Sequence, residues 1–138
     1  MKKILVITFF ILLGCSGSSK KDSPKFDPAS EEKGIREVLK AQEIAWNQGN
    51  IDDFMEGYWK SDSLMFVGSA ITQGWNATIE RYKKGYPDRE AMGQLDFTFY
   101  DFKFIGNESC LVTGRYHLKR TADDPTGMFT LLLRKIGG

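Results

Sequence analysis

The chain has 138 residues, enough for one domain around one core, and its 19 basic and 18 acidic residues leave a formal net charge of +1. That near balance excludes an electrostatic nucleic-acid binder, so no nucleic-acid partner is expected. One histidine and two distant cysteines do not compose a zinc site, so neither a metal nor a cofactor is expected.

At the N-terminus, Lys2 and Lys3 precede an uncharged, mostly apolar run from Ile4 to Leu13. That run is far short of the ~20 residues a membrane-spanning helix needs. Gly14 and Cys15 follow. This pattern resembles the signal peptide of bacterial lipoproteins, in which the cysteine is lipidated and becomes the new N-terminus. The resemblance implies that residues 1–14 are removed and that Cys15 carries a lipid. The protein is then held on a bacterial membrane in the cell envelope, outside the cytoplasm. Removal takes two of the 19 basic residues and leaves 124 residues, with 17 basic against 18 acidic. Cys110 is then the only other cysteine, so no intramolecular disulfide is expected and it reads as a small core residue. Residues 15–30 read as the lipidated cysteine and a flexible tether rich in Ser, Lys, Asp and Pro, with a reach of roughly 20 Å.

The domain itself is expected over residues 31–138. Glu31 to Gln48 predicts a first helix, capped by Ser30 and ended by Gly49. Its stripe is Ile35, Val38, Leu39, Ala45 and Trp46, with Gln42 in the middle. Asn50 can cap a short second helix through about Trp59 that puts Phe54 and Tyr58 on one side. Leu64–Val67 and Ala70–Gln73 read as a hairpin turned at Gly68-Ser69. A third helix is expected from Trp75 to Lys84, with Trp75, Ile79 and Tyr82 on one stripe that Tyr86 extends before Pro87.

The remainder reads as a meander of strands at Gln94–Ile105, Ser109–Arg120 and Met128–Ile136. In the first, Leu95, Phe97 and Phe99 have one parity and Phe102 and Phe104 the other. Only a bulge brings both sets to one face, and it is expected at Tyr100 or Asp101. Along the second, Cys110, Val112, Tyr116 and Leu118 form the apolar parity, turning Arg115 and His117 away from the helices. The third is apolar at both parities, so both faces call for cover: the helices on one side and a partner chain on the other.

Ala45-Trp46-Asn47, Phe66-Val67-Gly68, Gly74-Trp75, Tyr82-Lys83-Lys84-Gly85-Tyr86-Pro87 and Gly127-Met128-Phe129-Thr130-Leu131, in this order and spacing, look like the SnoaL-like branch of the nuclear-transport-factor-2-like superfamily. Within it the chain is most similar to a group common in exported bacterial proteins. The resemblance covers about residues 31–136. It implies an α+β cone, with three N-terminal helices on a strongly curved antiparallel sheet around an apolar cavity. The superfamily holds isomerases, dehydratases, epoxide hydrolases and polyketide cyclases beside domains without chemistry, so the fold alone does not assign a reaction. Its members usually continue into a final strand between the first short strand and the last strand of the meander. Here the sequence stops at Gly138, and truncation, a strand from another chain or degeneration would each account for that, truncation being favoured.

Gln42 is the sharpest candidate, because a polar side chain centred on a buried stripe needs a partner. Trp46, Tyr58, Phe66, Trp75 and Tyr82 would line the same cavity and bind a small, mostly apolar molecule. The competing expectations are a small-molecule isomerase, dehydratase or cyclase, with Asp62 or His117 as its acid–base group, and an interaction domain that forms a homodimer.

Overall fold

The structure is a computed structural model, and it describes residues 25–137. The expected signal peptide, Cys15 and the first part of the expected tether lie outside the described residues.

Helix α1 runs Pro28–Asn47, three residues earlier than expected. Its cap is Asp27, whose carboxylate accepts from the Ala29 N–H at 3.3 Å, and not Ser30, which lies inside the first turn. Proline at the first helical position suits that start, since its missing N–H has no intrahelical partner there anyway. Phe26 packs edge-on to Phe104, so the folded domain extends into the segment read as tether. The helix stops where Gly49 takes a φ of +80°. Leu39, Gln42, Ala45 and Trp46 are buried along it, whereas Val38 is exposed. Val38 lies one step off the line through residues 35, 39, 42 and 46, which is the line that faces the sheet.

Asn50 caps α2, Ile51–Met55, which is four residues shorter than the expected helix. The hairpin of β1, Met65–Val67, and β2, Ile71–Gln73, follows. Gly74, at φ +91°, turns the chain into α3, Trp75–Gly85. A fourth helix that the periodicity did not reveal, α4, Arg89–Met92, is capped by Asp88. One turn is too short for a recognisable stripe.

Three antiparallel strands complete the domain: β3, Gln94–Ile105, β4, Ser109–Lys119, and β5, Thr126–Arg134, in the order β3-β4-β5. The last starts and ends two residues earlier than expected. The register jumps between Phe99, opposite Gly114, and Asp101, opposite Thr113, leaving Tyr100 as the extra residue of a bulge. Leu95, Phe97, Phe99, Phe102 and Phe104 thereby reach one face, and they are the more buried residues of β3. Among the described residues the β1–β2 hairpin forms a separate sheet with no strand joining it to β5.

On the inner face, two glycine–aromatic pairs sit side by side across β4 and β5, Gly114 opposite Phe129 and Gly127 opposite Tyr116. A β-carbon on Gly114 would stand 2.5 Å from Phe129 Cζ, and one on Gly127 would stand 2.7 Å from Tyr116 Cε1. Each ring therefore lies down across the glycine facing it. Glycine is tolerated in these strands because a ring covers the backbone it leaves bare.

Helix α1 also closes the outer edge of β3. Asn47 bonds both polar groups of Leu95, donating to its C=O at 2.9 Å and accepting from its N–H at 2.7 Å. Glu43, one turn earlier, accepts from the Phe97 N–H at 3.1 Å. An edge strand presents unpaired backbone groups, and here helix side chains satisfy three of them. On β5, by contrast, Phe129, Leu131 and Leu133 turn inward while Met128 and Leu132 stand exposed in this single chain. No helix among the described residues is long and apolar enough to cross a membrane.

Candidate functional site

The helix stripes converge near the Leu95–Leu118 end of the inner face. Tyr82 of α3 is the hub. Its ring centroid lies 5.2 Å from Phe54, 5.7 Å from Phe66, 6.0 Å from Trp46, 6.1 Å from Tyr86 and 6.2 Å from Tyr58. The contacts are mostly edge-to-face, the arrangement the ring quadrupole favours. Four of the six residues picked from sequence for the cavity, Trp46, Tyr58, Phe66 and Tyr82, are thus one aromatic wall. Trp75 packs against the same core and donates its indole N–H to the Met55 carbonyl at 3.1 Å.

Gln42 lies beneath the wall. Its amide N–H donates to the Phe54 carbonyl at 2.9 Å and ties α1 to α2. A β-carbon on Gly57 would come within 2.5 Å of Gln42 Cδ, so the bare backbone of Gly57 is what lets this amide fit. The partner that a buried glutamine requires is therefore a backbone group of the neighbouring helix.

The polar feature of the wall is a pair of phenols. The Tyr58 and Tyr82 hydroxyl oxygens stand 2.9 Å apart, so one donates to the other. Two hydroxyls carry two protons and this bond uses one. The second proton has no acceptor among the described residues. Tyr86 and Tyr116 bring two more hydroxyls to the neighbourhood without a hydrogen-bond partner there. Among the described residues no fully buried side-chain polar atom lacks a partner, so each of these hydroxyls keeps some contact with solvent.

Burial raises the pKa of Tyr58, and it raises that of Tyr82 well above the ordinary 10.0, with Tyr58 adding to the rise and Arg81 opposing it. Each residue is half-buried as a whole, and the aromatic rings packed around the pair supply the desolvation. In the unfolded chain these phenols ionise near pH 10, while in the folded chain they hold their protons to higher pH. Stability is therefore expected to fall as pH rises above 10, by at most about 1.4 kcal/mol per pH unit for each such tyrosine. Tyr82→Phe should flatten the alkaline limb of a urea-denaturation series, and an unchanged limb would contradict the burial of this phenol.

Neither acid–base candidate is hydrogen-bonded to the phenols. His117, of opposite strand parity to Tyr116, pairs its Nε2 with Asp124 at 2.8 Å. Asp62 is exposed in the turn before β1, its backbone 3.8 Å from where a Gly74 β-carbon would be, one residue from Trp75. Among the described residues no three His, Cys, Asp or Glu side chains gather to hold a metal. An open cleft of about 390 Å³ is lined by Asn50, Asp52, Lys83, Tyr86 and Arg89 among others, and shares only Tyr86 with the aromatic cluster.

Sequence reasoning missed Arg81 and the hydroxyl of Tyr86 as site groups. Arg81 sits off the apolar stripe of α3 but lies over the Phe66 ring, 5.1 Å from its centroid. Nothing in the helical period tells that a strand hairpin returns to cover it.

Known proteins of this shape put the fold in context. A crystal structure of an NTF-2 like protein of unknown function from Shewanella oneidensis MR-1 is 44% identical, with a TM-score of 0.75 over 78% of this chain and 89% of that one. An NTF2-like protein of unknown function from Pseudomonas putida KT2440 is similar at 15% identity and a TM-score of 0.60, over 80% of each chain. A ketosteroid isomerase-like protein from Erwinia carotovora atroseptica SCRI1043 is similar at 18% identity and a TM-score of 0.54, over 75% of this chain and 82% of that one. The last two share the fold alone. No family model and no curated protein matches the chain. Identity at 44% across most of both chains, on a shared helix-and-bent-sheet framework, is decisive: the chain belongs to the NTF2-like family.

Proposed function

We propose that this domain binds a small, mostly apolar molecule against the wall of Trp46, Tyr58, Phe66, Trp75 and Tyr82, with Gln42 holding the helices behind it. One observation carries the reading: a half-buried hydroxyl pair with an uncommitted proton sits within an otherwise apolar aromatic cluster. Binding sites combine an apolar lining with a few placed polar groups in this way. The reading includes a further strand between β1 and β5, which would close the wall into the cavity of the cone. It also includes a lipid on Cys15, which would hold the domain on a bacterial membrane outside the cytoplasm.

Native mass spectrometry of the purified chain, with saturable binding of an environment-sensitive naphthalene dye, tests the reading. A retained small molecule or one-to-one dye binding is expected. Tyr58→Phe should weaken binding by roughly fivefold, the equivalent of about 1 kcal/mol for one hydrogen bond. A chain without a retained molecule and without saturable dye binding would end the proposal. The anchor is tested by fatty-acid labelling against Cys15→Ser, where equal labelling of both chains contradicts it.

A second reading is self-association, favoured by the exposed Met128 and Leu132 on β5. Sedimentation decides it, since a folded monomer at high concentration excludes a dimer. The enzyme reading would draw on Asp62, exposed in its turn, or on His117, whose ring pairs with Asp124.

A further inference from the structure

The edge of the aromatic wall carries a positive charge that no carboxylate answers. Arg81 precedes Tyr82 on α3, and its guanidinium carbon stands 5.1 Å from the centroid of Phe66, the ring that itself packs edge-on to Tyr82. The turn of the β1–β2 hairpin folds over it: a β-carbon on Gly68 would stand 3.2 Å from Arg81 Nη2. Arginine, phenylalanine and tyrosine therefore pack in series at the mouth of the wall, Arg81 over Phe66 and Phe66 edge-on to Tyr82. Arg120, the other cation near Tyr86, is neutralised by a two-pronged bond to Asp123 at 2.6 and 2.7 Å. Arg81 takes part in none of the ion pairs among the described residues, which draw on Lys33, Arg36, Lys40, Lys60, Lys83, His117, Arg120 and Lys135.

The hydroxyls add to the same imbalance. The Tyr58–Tyr82 pair has one proton to give, and Tyr86 and Tyr116 each have another. The mouth is thus rich in donors and poor in negatively charged acceptors. A guanidinium has five N–H donors and cannot lose its charge, and its fork matches a planar carboxylate. An apolar amine would meet repulsion there, and a plain hydrocarbon would leave the donors unused.

We propose that the ligand is a small organic acid, its apolar body on the Phe66–Tyr82 wall and its carboxylate received by Arg81 with help from the tyrosine hydroxyls. This rests on the binding reading above and narrows it to a chemical class. Because Arg81 is exposed and supports no part of the core, Arg81→Gln should fold as the parent does.

The test uses the full chain, isothermal titration calorimetry and two matched probes, 1-naphthylacetate and 2-(1-naphthyl)ethanol. The acid is expected to bind about tenfold more tightly than the alcohol, in keeping with a charge-assisted two-pronged bond. Added salt should shrink that preference, since the guanidinium is at the surface. Arg81→Gln, with an unchanged far-ultraviolet spectrum, should abolish the preference and leave the affinity for the alcohol within about twofold. Equal binding of acid and alcohol by the parent chain, or a preference that survives Arg81→Gln, overturns the carboxylate while the binding reading stands. If neither probe binds, both fall together.

Discussion

Trp46→Ala is expected to lower the stability of the domain by about 4 kcal/mol, a drop in Tm on the order of 20 °C. The indole is 2% exposed and packs edge-on to Phe54, Tyr82 and Tyr86 at 5.1, 6.0 and 4.7 Å. Its N–H donates to the Met92 carbonyl at 3.0 Å, fastening α1 to the one-turn helix before the sheet. The Trp46 carbonyl in turn receives Arg89 Nη1 at 2.8 Å, so both ends of α4 hang on this one residue. Truncation removes the packing, opens a cavity that rings locked in edge-to-face contact cannot fill, and leaves the Met92 carbonyl without its donor. Trp46→Phe keeps a ring in place and should lose roughly half as much. Urea denaturation followed by far-ultraviolet circular dichroism measures both, and a loss below about 1 kcal/mol for the alanine variant would contradict the close packing of this cluster.

Gly114→Ala is expected to cost about 3 kcal/mol although it adds a single methyl group. That methyl would stand 2.5 Å from Phe129 Cζ and 2.7 Å from the Thr98 carbonyl oxygen. The ring can shift. The carbonyl cannot, because Thr98 is backbone of β3, one residue from the register jump that curves the sheet. At Gly127 the three nearest atoms all belong to the half-buried Tyr116 side chain, which can swing, so Gly127→Ala is expected to cost about 1 kcal/mol. Gly34→Ala is the control. It meets nothing within 4 Å on the exposed side of α1, and there alanine should stabilise by roughly 0.5–1 kcal/mol. Chemical denaturation of the three variants should rank them in that order. An equal effect at Gly114 and Gly34 would mean that the inner face of the sheet is not as tight as the two flat rings require.

Much of this was legible in the order of residues, for reasons that can be named. The bulge at Tyr100 followed from parity alone: five apolar residues of two parities cannot share a face without one extra residue between them. The inward turn of Cys110, Val112 and Leu118, and the outward one of Arg115, followed from the two-residue period of a strand. The aromatic wall was foreshadowed by the stripe of α3, and the requirement that Gln42 find a partner by the cost of an unpaired buried amide. The misses share a cause too. Both Ser30 and Asp27 can cap a helix, and the choice fell to the proline at position 28, which fits the first turn and moves the start forward. Helix α4 is one turn long, below the length at which a period can be seen.

The sequence by itself determined the family, the alternation of buried and exposed positions, the bend in β3 and the aromatic character of the wall. These are set by period, parity and residue type within single segments. Tertiary structure alone decided which groups meet. It set the phenols of Tyr58 and Tyr82 at 2.9 Å with a proton unspoken for, gave Gln42 a backbone carbonyl, and folded the hairpin over Arg81. Each of these pairs joins separate elements or separate turns of the chain, and the register between such elements is fixed by packing of their faces, which no local pattern encodes.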